Sequence, residues 1–470
     1  MKPRKTFYLF LMVIFLTTLA CWPPGNDTEA PPAGGGDAVQ TSVAATLTAQ
    51  GAGGSPATQP PSPGTQAPPT APPSSVTQAP ATAPPVLPPP PPPAVLRIAY
   101  NDGNNLRLWT DGVGVTTLYS GERVTKILLS DDGQVVAFET QSPQWEFTGI
   151  WAARTDGSVV QRLVDAPTMN TFNTNPSALG AAPYHWEFIP GTNTLAFNTR
   201  LVFEIGLVLQ DDLRLLNLDT GVLTTLLNVG QAGMFYYSPD GSQIALTTPT
   251  SISLINADGT NRRDNVLTYP AVITYSEYQW YSSPNWWPDS SQLSVVIPSE
   301  DPFAPGASMT VWNIPLNGSA PSFLGTYTTD LALFTAGSLI SPNMTRVAYL
   351  QRVGQPANNT WDLHLVELYA ATDTVFTTGN LRFVSWSPNS GWFVYDENQD
   401  MKVAQYGNPG AWPLADVPPA REMQWIDDNR FIYVSGSFGS WDLRMGSFSW
   451  PSVQIGTSTS NNMMAFDFSN

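Results

Sequence analysis

A short run, Ser238-Pro239-Asp240-Gly241, constrains this chain more than any other stretch in it. Pro and Gly stand where a β-turn requires them. The run follows one apolar segment, Phe235-Tyr236-Tyr237, and precedes another, Ile244-Ala245-Leu246. A third, Ile252 to Ile255, stops at a second turn, Asp258-Gly259. Short apolar strands joined by tight turns form a meander, and here the meander repeats. Aligned on the apolar residue before the first turn, the units fall at Leu129, Phe188, Tyr237, Trp286, Ile340, Trp386, Trp425 and Phe468. A period of roughly 40–60 residues is that of a β-propeller with four strands per blade. The second strand carries a small residue at its centre (Ala137, Ala196, Ala245, Ala348), where a bulky side chain would push neighbouring blades apart.

The ends of the array predict closure. The first unit starts with a second strand, Ile98-Ala99-Tyr100, and lacks a first. The chain finishes on Met463 to Ser469, which reads as a first strand with nothing after it. The C-terminal strand therefore completes the N-terminal blade and removes the open edges of the ring. Met464, Phe466 and Phe468 alternate and share a face; burying them contributes about 5–9 kcal/mol before ordering costs. The expected fold is all-β, an eight-bladed propeller over 95–470, with seven blades if two weak units merge. The run Tyr237 to Ala245 resembles the repeat of TolB-like, WD-repeat-like propellers, which also builds the propellers of prolyl oligopeptidase and dipeptidyl peptidase enzymes. That resemblance implies a fold far more than a function.

The first 94 residues have a different character. Lys2, Arg4 and Lys5 precede an apolar run, Phe7 to Leu16, in the manner of a secretory signal peptide over 1–21. The run is short for a membrane span, which needs about 20 residues. Ala20-Cys21 resembles the end of a bacterial lipobox, although Thr18 and Leu19 depart from it. Cys21 is the chain's single cysteine, so it is the expected lipid attachment site; a simple cleaved or retained leader is the alternative. Either way the rest of the chain lies outside the cytoplasm. Residues 22–94 are rich in Pro, Thr and Ala and end in six prolines, Pro88 to Pro93. Such a segment buries too little to fold. Its Pro-rich part, roughly 40 residues at about 3.1 Å each, makes a stiff spacer on the order of 120 Å long.

With 20 basic and 37 acidic residues the net charge is −17, which repels phosphate backbones and excludes nucleic acid as a partner. Catalytic signatures are missing. His185 and His364 lie in strand-like runs without ligand spacing around them. No Gly-x-Ser-x-Gly elbow occurs, so the peptidase chemistry of the resembling enzymes has no expected carrier here. Asp396 to Asp400 imitates a calcium loop, but Met401 stands where Gly is required, and a hairpin is expected. Neither metal nor cofactor is expected.

Strand order points to the functional face. In an up-and-down blade the turns after strands one and three share one side of the disc, and the other connections share the opposite side. The first set is short. The second holds the insertions, 141–148, 166–183, 200–212, 269–277, 298–308, 352–360 and 435–440. Binding groups concentrate on loops held by a rigid scaffold. The candidate binding residues are Trp145, Phe172, Phe203, Asp211, Asp212, Glu300, Asp301, Phe303, Trp361 and Phe438. Trp186, Trp286, Trp386 and Trp425 lie in first strands and are expected in the core. The expected function is a non-enzymatic, membrane-tethered envelope scaffold that binds a protein or peptide. The alternatives are a carbohydrate-binding surface protein and a propeller lyase or glycosidase using loop carboxylates.

Overall fold

In a computed structural model, which describes residues 95–470 other than 205, 277, 330–337, 355–358 and 417–418, the strands group into eight antiparallel sheets. They are the blades of a β-propeller. Blade 1 consists of Arg97–Asn101, Asn105–Thr110, Gly114–Ser120 and, as its innermost strand, Phe466–Ser469. Blades 2 to 8 follow in chain order over 123–165, 180–227, 234–268, 285–328, 340–379, 381–413 and 420–458. Blade 3 gains a short extra strand, Leu207–Leu209, and the first strand of blade 6 shrinks to one bridge, Ile340 to Val347. Residues 1–94, with the expected leader, lipid site Cys21 and spacer, lie outside the described residues.

Closure runs through the last strand. Ile98 pairs with Phe468 and Tyr100 with Phe466. Met464, Phe466 and Phe468 sink into a cluster with Ile432, Val434 and Leu443 of blade 8. The second-strand centres Ala99, Ala137, Ala196, Ala245 and Ala348 are fully buried, as the steric argument requires. The four first-strand tryptophans are buried too, at 3–7% exposure.

The Ser of each Ser-x-Asx turn has a definite task. Ser238 Oγ donates to Asp240 Oδ1 at 2.6 Å and accepts the Gln243 N–H at 2.9 Å. Ser130, Ser341 and Ser387 repeat both bonds with Asp132, Asn343 and Asn389. These serines are at most 1% exposed. Each turn thus satisfies its own buried amide, which lets it stay short.

Neighbouring blades are joined by polar bonds of recurring position. At five junctions the residue just before the aligned apolar residue accepts a hydrogen bond from the next blade. Asp467 Oδ2 accepts the Leu129 N–H (2.8 Å), and the Glu187 carboxylate accepts that of Tyr237 (3.3 Å). The Tyr236 and Leu339 carbonyls and Ser385 Oγ accept the indole N–H groups of Trp286, Trp386 and Trp425 at 3.0–3.1 Å. A second series sits at the far end of the second strands. Asn101 donates to Val124 O (2.5 Å), Asn198 to Gly233 O (3.0 Å) and Thr247 to Ser282 O (3.0 Å).

Two outcomes are expected. Asp467→Ala removes the carboxylate acceptor of a buried amide and should destabilise the protein by about 1–3 kcal/mol in urea unfolding. Deleting 462–470 exposes the apolar edge of blade 1 and should abolish cooperative melting; a soluble monomer melting like the parent would refute closure.

Candidate functional site

The two sides of the disc differ as strand order implies. Connections after first and third strands are tight turns, such as 130–134, 189–193, 238–242 and 387–391. The other side carries 142–146, 166–179, 203–212, 269–284, 299–307 and 353–360. One expected insertion is absent: 435–440 is a two-residue hairpin, with Ser437 paired to Ser440 and Phe438-Gly439 at its tip. The 166–179 connection holds a short helix, Ala166–Asn170, capped by Asp165, whose carboxylate accepts the Thr168 N–H at 2.9 Å.

Between blades 4 and 5 the loops build a cleft of about 610 Å³, lined by Pro249, Val272, Tyr275, Tyr278 and Trp280. The Ile273 N–H donates to Glu300 O at 2.8 Å and joins the two loops. Asp301 organises the rim, accepting from Tyr275 OH at 2.8 Å and from the Phe303 N–H at 3.0 Å. The bond to Asp301 raises the Tyr275 pKa. The Tyr275 and Phe303 rings meet edge to face, 5.6 Å apart at 75°. They remain 69% and 46% exposed. Of the candidate residues, Glu300, Asp301 and Phe303 are thus brought together, and Tyr275 completes the group.

Blade 3 gathers others, but inward. Asp212 is fully buried and accepts from Thr199 N (2.7 Å) and Arg214 Nε (2.8 Å). Arg214 stacks on Phe172, 3.6 Å above the ring, while Gln210 donates to Phe172 O at 2.9 Å. Asp211 accepts from Tyr281 OH at 3.2 Å; burial, with the Asp212 charge behind it, raises its pKa. Two candidates are therefore corrected. Asp212 is an internal pin of its loop, because a buried carboxylate survives only when fully partnered. Trp361 begins the strand Trp361–Glu367 and is 9% exposed, packed into the core cluster with Leu350 and Leu363 instead of standing on the loop. Phe203 is half-buried.

Trp145 stands apart, 53% exposed, with φ +69°. The Arg123 guanidinium lies 3.8 Å over its ring. Both line a second cleft, about 390 Å³, with Asp102, Asn104, Asn105 and 459–462. Phe438 is 75% exposed at its hairpin tip.

Sequence reasoning missed Arg123, Tyr281 and Lys126. Lys126 offered a signal, a lysine in the middle of the largely apolar strand Arg123–Leu129. Its Nζ donates to Tyr184 O at 2.6 Å and lies 4.9 Å over the Trp186 ring. Burial lowers its pKa to about 7, with Glu139 favouring the charge and Arg200 opposing it. Among the described residues, no group of three or more His, Cys, Asp or Glu is arranged to hold a metal. Asp396–Asp400 is a hairpin, with Asn398 and Gln399 at positive φ and Asp396 Oδ1 accepting the Gln399 N–H. His364 bonds Asp373 (2.8 Å) and stacks on Tyr349; His185 packs against Phe235. No described helix is long and apolar enough to cross a membrane.

No family model and no curated protein matches the chain. Among solved structures it is similar to a eukaryotic initiation factor, at 13% identity over 80% of this chain and 98% of that one, TM-score 0.47. An oligogalacturonate lyase in complex with manganese matches at 15% over 64% and 82%, TM-score 0.43. TolB from Acinetobacter baumannii matches at 14% over 59% and 62%, TM-score 0.32. Likeness this distant says nothing of activity.

Lys126 generates a pH prediction. Its folded pKa of about 7 lies below the unfolded value, near 10.4. Between about pH 7 and 10 the unfolded chain binds more protons, so stability should rise with pH. Below that window both states are charged and the dependence vanishes. Urea unfolding from pH 6.5 to 9.5 should show the rise, and Lys126→Met should flatten it.

Proposed function

We propose that this chain is a non-enzymatic, extracytoplasmic binding protein that grips a protein or peptide with its long-loop side. In this reading it is a bacterial lipoprotein held to the membrane through Cys21, facing the cell surface or periplasm. The observation that carries the reading is the exposed Tyr275–Phe303 pair, fixed by Asp301 above an apolar cleft. Exposed aromatic rings on pre-ordered loops are the usual anchors of protein interfaces, because they bury large area at little entropic cost.

Two of the loop acids are taken up in holding structure rather than left for acid–base chemistry. Asp212 is consumed by Thr199 and Arg214, and Asp301 by Tyr275 and a backbone amide. Saccharide binding, the second reading, is favoured by the half-exposed Trp145 ring beside Asn104 and Asn105. Exposed rings also occur away from the long loops, at Trp412 and Trp450, and they supply a control.

The full chain should capture a defined partner from envelope extract. The double variant Tyr275→Ala/Phe303→Ala should weaken that capture at least about tenfold, as loss of interface anchors does, whereas Trp450→Ala should not. Equal capture by all three baits would refute the assignment.

A further inference from the structure

The cleft where blades 8, 1 and 2 meet has a chemistry unlike that of the Tyr275 cleft. We infer that it binds one residue of an acidic saccharide, with the Trp145 ring stacked on the sugar and Arg123 facing its carboxylate. This rests on and deepens the second, saccharide reading, and uses other blades than the partner-binding face.

Trp145 supplies the first observation. A bulky residue at φ +69° is strained and persists only where its surroundings over-determine it. The loop does so. Ser142 N–H donates to Glu146 O, Trp145 N–H to Ser142 O, and Ser142 Oγ accepts from Gln144 and Glu146. The effort holds the ring in solvent rather than in the core. Arg123 covers one of its faces, and the ring is still 53% exposed. A flat, half-covered indole presents one face for stacking on the C–H face of a pyranose.

Arg123 supplies the second. Among the described residues no carboxylate pairs with it, and its Nη1 is shielded from solvent without a hydrogen-bond partner. Two neighbouring acids are engaged elsewhere. Asp102 accepts from Arg107 and Asn105, and Glu122 accepts from Thr148. A guanidinium nitrogen buried without a hydrogen-bond partner is costly. In a chain of net charge −17 it marks a place where an anion is wanted.

The rest of the lining selects the ligand class. The side chains of Asn104, Asn461 and Asn462 make no hydrogen bond to any described residue, and all three border the cleft. Carboxamides pair a donor with an acceptor, which matches vicinal hydroxyls. Only one cation lines the cleft, which suits a monoanionic carboxylate better than a phosphate dianion. No second aromatic ring lines it to sandwich a planar base. The walls come from 102–105 and 459–462, near the two ends of the propeller sequence, so a ligand bound here also ties the closing strand and raises the melting temperature.

The test is calorimetric titration of the full chain with tetragalacturonate and tetraguluronate, against cellotetraose and sodium acetate. Both acidic oligomers should bind at least tenfold more tightly than cellotetraose and acetate, and should raise the melting temperature. Trp145→Ala should abolish binding. Arg123→Gln should level the acidic and neutral sugars, and Asn461→Asp, at an exposed site, should weaken the acidic ones about tenfold without changing the melting temperature of the free protein. Tyr275→Ala/Phe303→Ala should bind the sugars as the parent does, which separates this site from the partner face. The inference is overturned if no oligomer binds at millimolar concentration, if acidic and neutral sugars bind alike, if acetate binds as tightly as the oligomers, or if Trp145→Ala binds normally.

Discussion

Every blade of this propeller depends on a hydrogen bond that it does not own. Apolar packing between blades is strong but non-directional; alone, it would let one sheet slide over the next. At five junctions direction comes from an acceptor one residue before the end of the first strand, as with Asp467 toward Leu129 and Glu187 toward Tyr237. Where the following blade offers an indole, a carbonyl or hydroxyl takes that place, as Leu339 does for Trp386. The side chain changes while the geometry persists, so the bond is a property of the ring more than of any residue. At the seam the Asn101 amide repeats the device, accepting from Ala465 N–H and donating to Val124 O.

This ring of bonds also decides where variation is tolerated. On the short-turn side the serine hydroxyls satisfy each turn, and turn residues bond across blades, as Asn343 N–H does to Ser390 Oγ. An insertion there would break two blades at once. The opposite side carries fewer such obligations, and loop length is cheap once the strands are held. The aromatic rim over blades 4 and 5 and the polar cleft at the seam both exploit that freedom.

Polar groups on the elaborated side divide by how completely they are partnered. Asp212 is buried with every strong bond made, and it locks its own loop. Asp301 spends its carboxylate on holding Tyr275 and the Phe303 backbone, which keeps two rings outside the core. Arg123 is the contrary case, a guanidinium without a described counter-charge under an exposed indole. The adjacent pair Asp211-Asp212 shows how little chain proximity means here. One carboxylate reaches Tyr281 across a blade boundary and the other stays within its own sheet.

The repeat alone pointed to eight blades, with seven left open until the eight sheets settled the count, and to the closing strand, the small strand centres and the side of the disc that carries the long loops. Those follow from period, turn chemistry and steric size, all local properties of the chain. The aromatic tally of the loops was also legible, but its sorting was not. Whether Phe303 stands in solvent and Trp361 in the core depends on where a strand begins, and that is set by pairing with the facing strand, Trp361 opposite Arg352. The Tyr275–Asp301 bond joins residues from different blades, and the Arg123 cleft joins the first and last parts of the propeller. No periodicity records such meetings. Tertiary structure decided them, because only closure of the ring brings those backbones together.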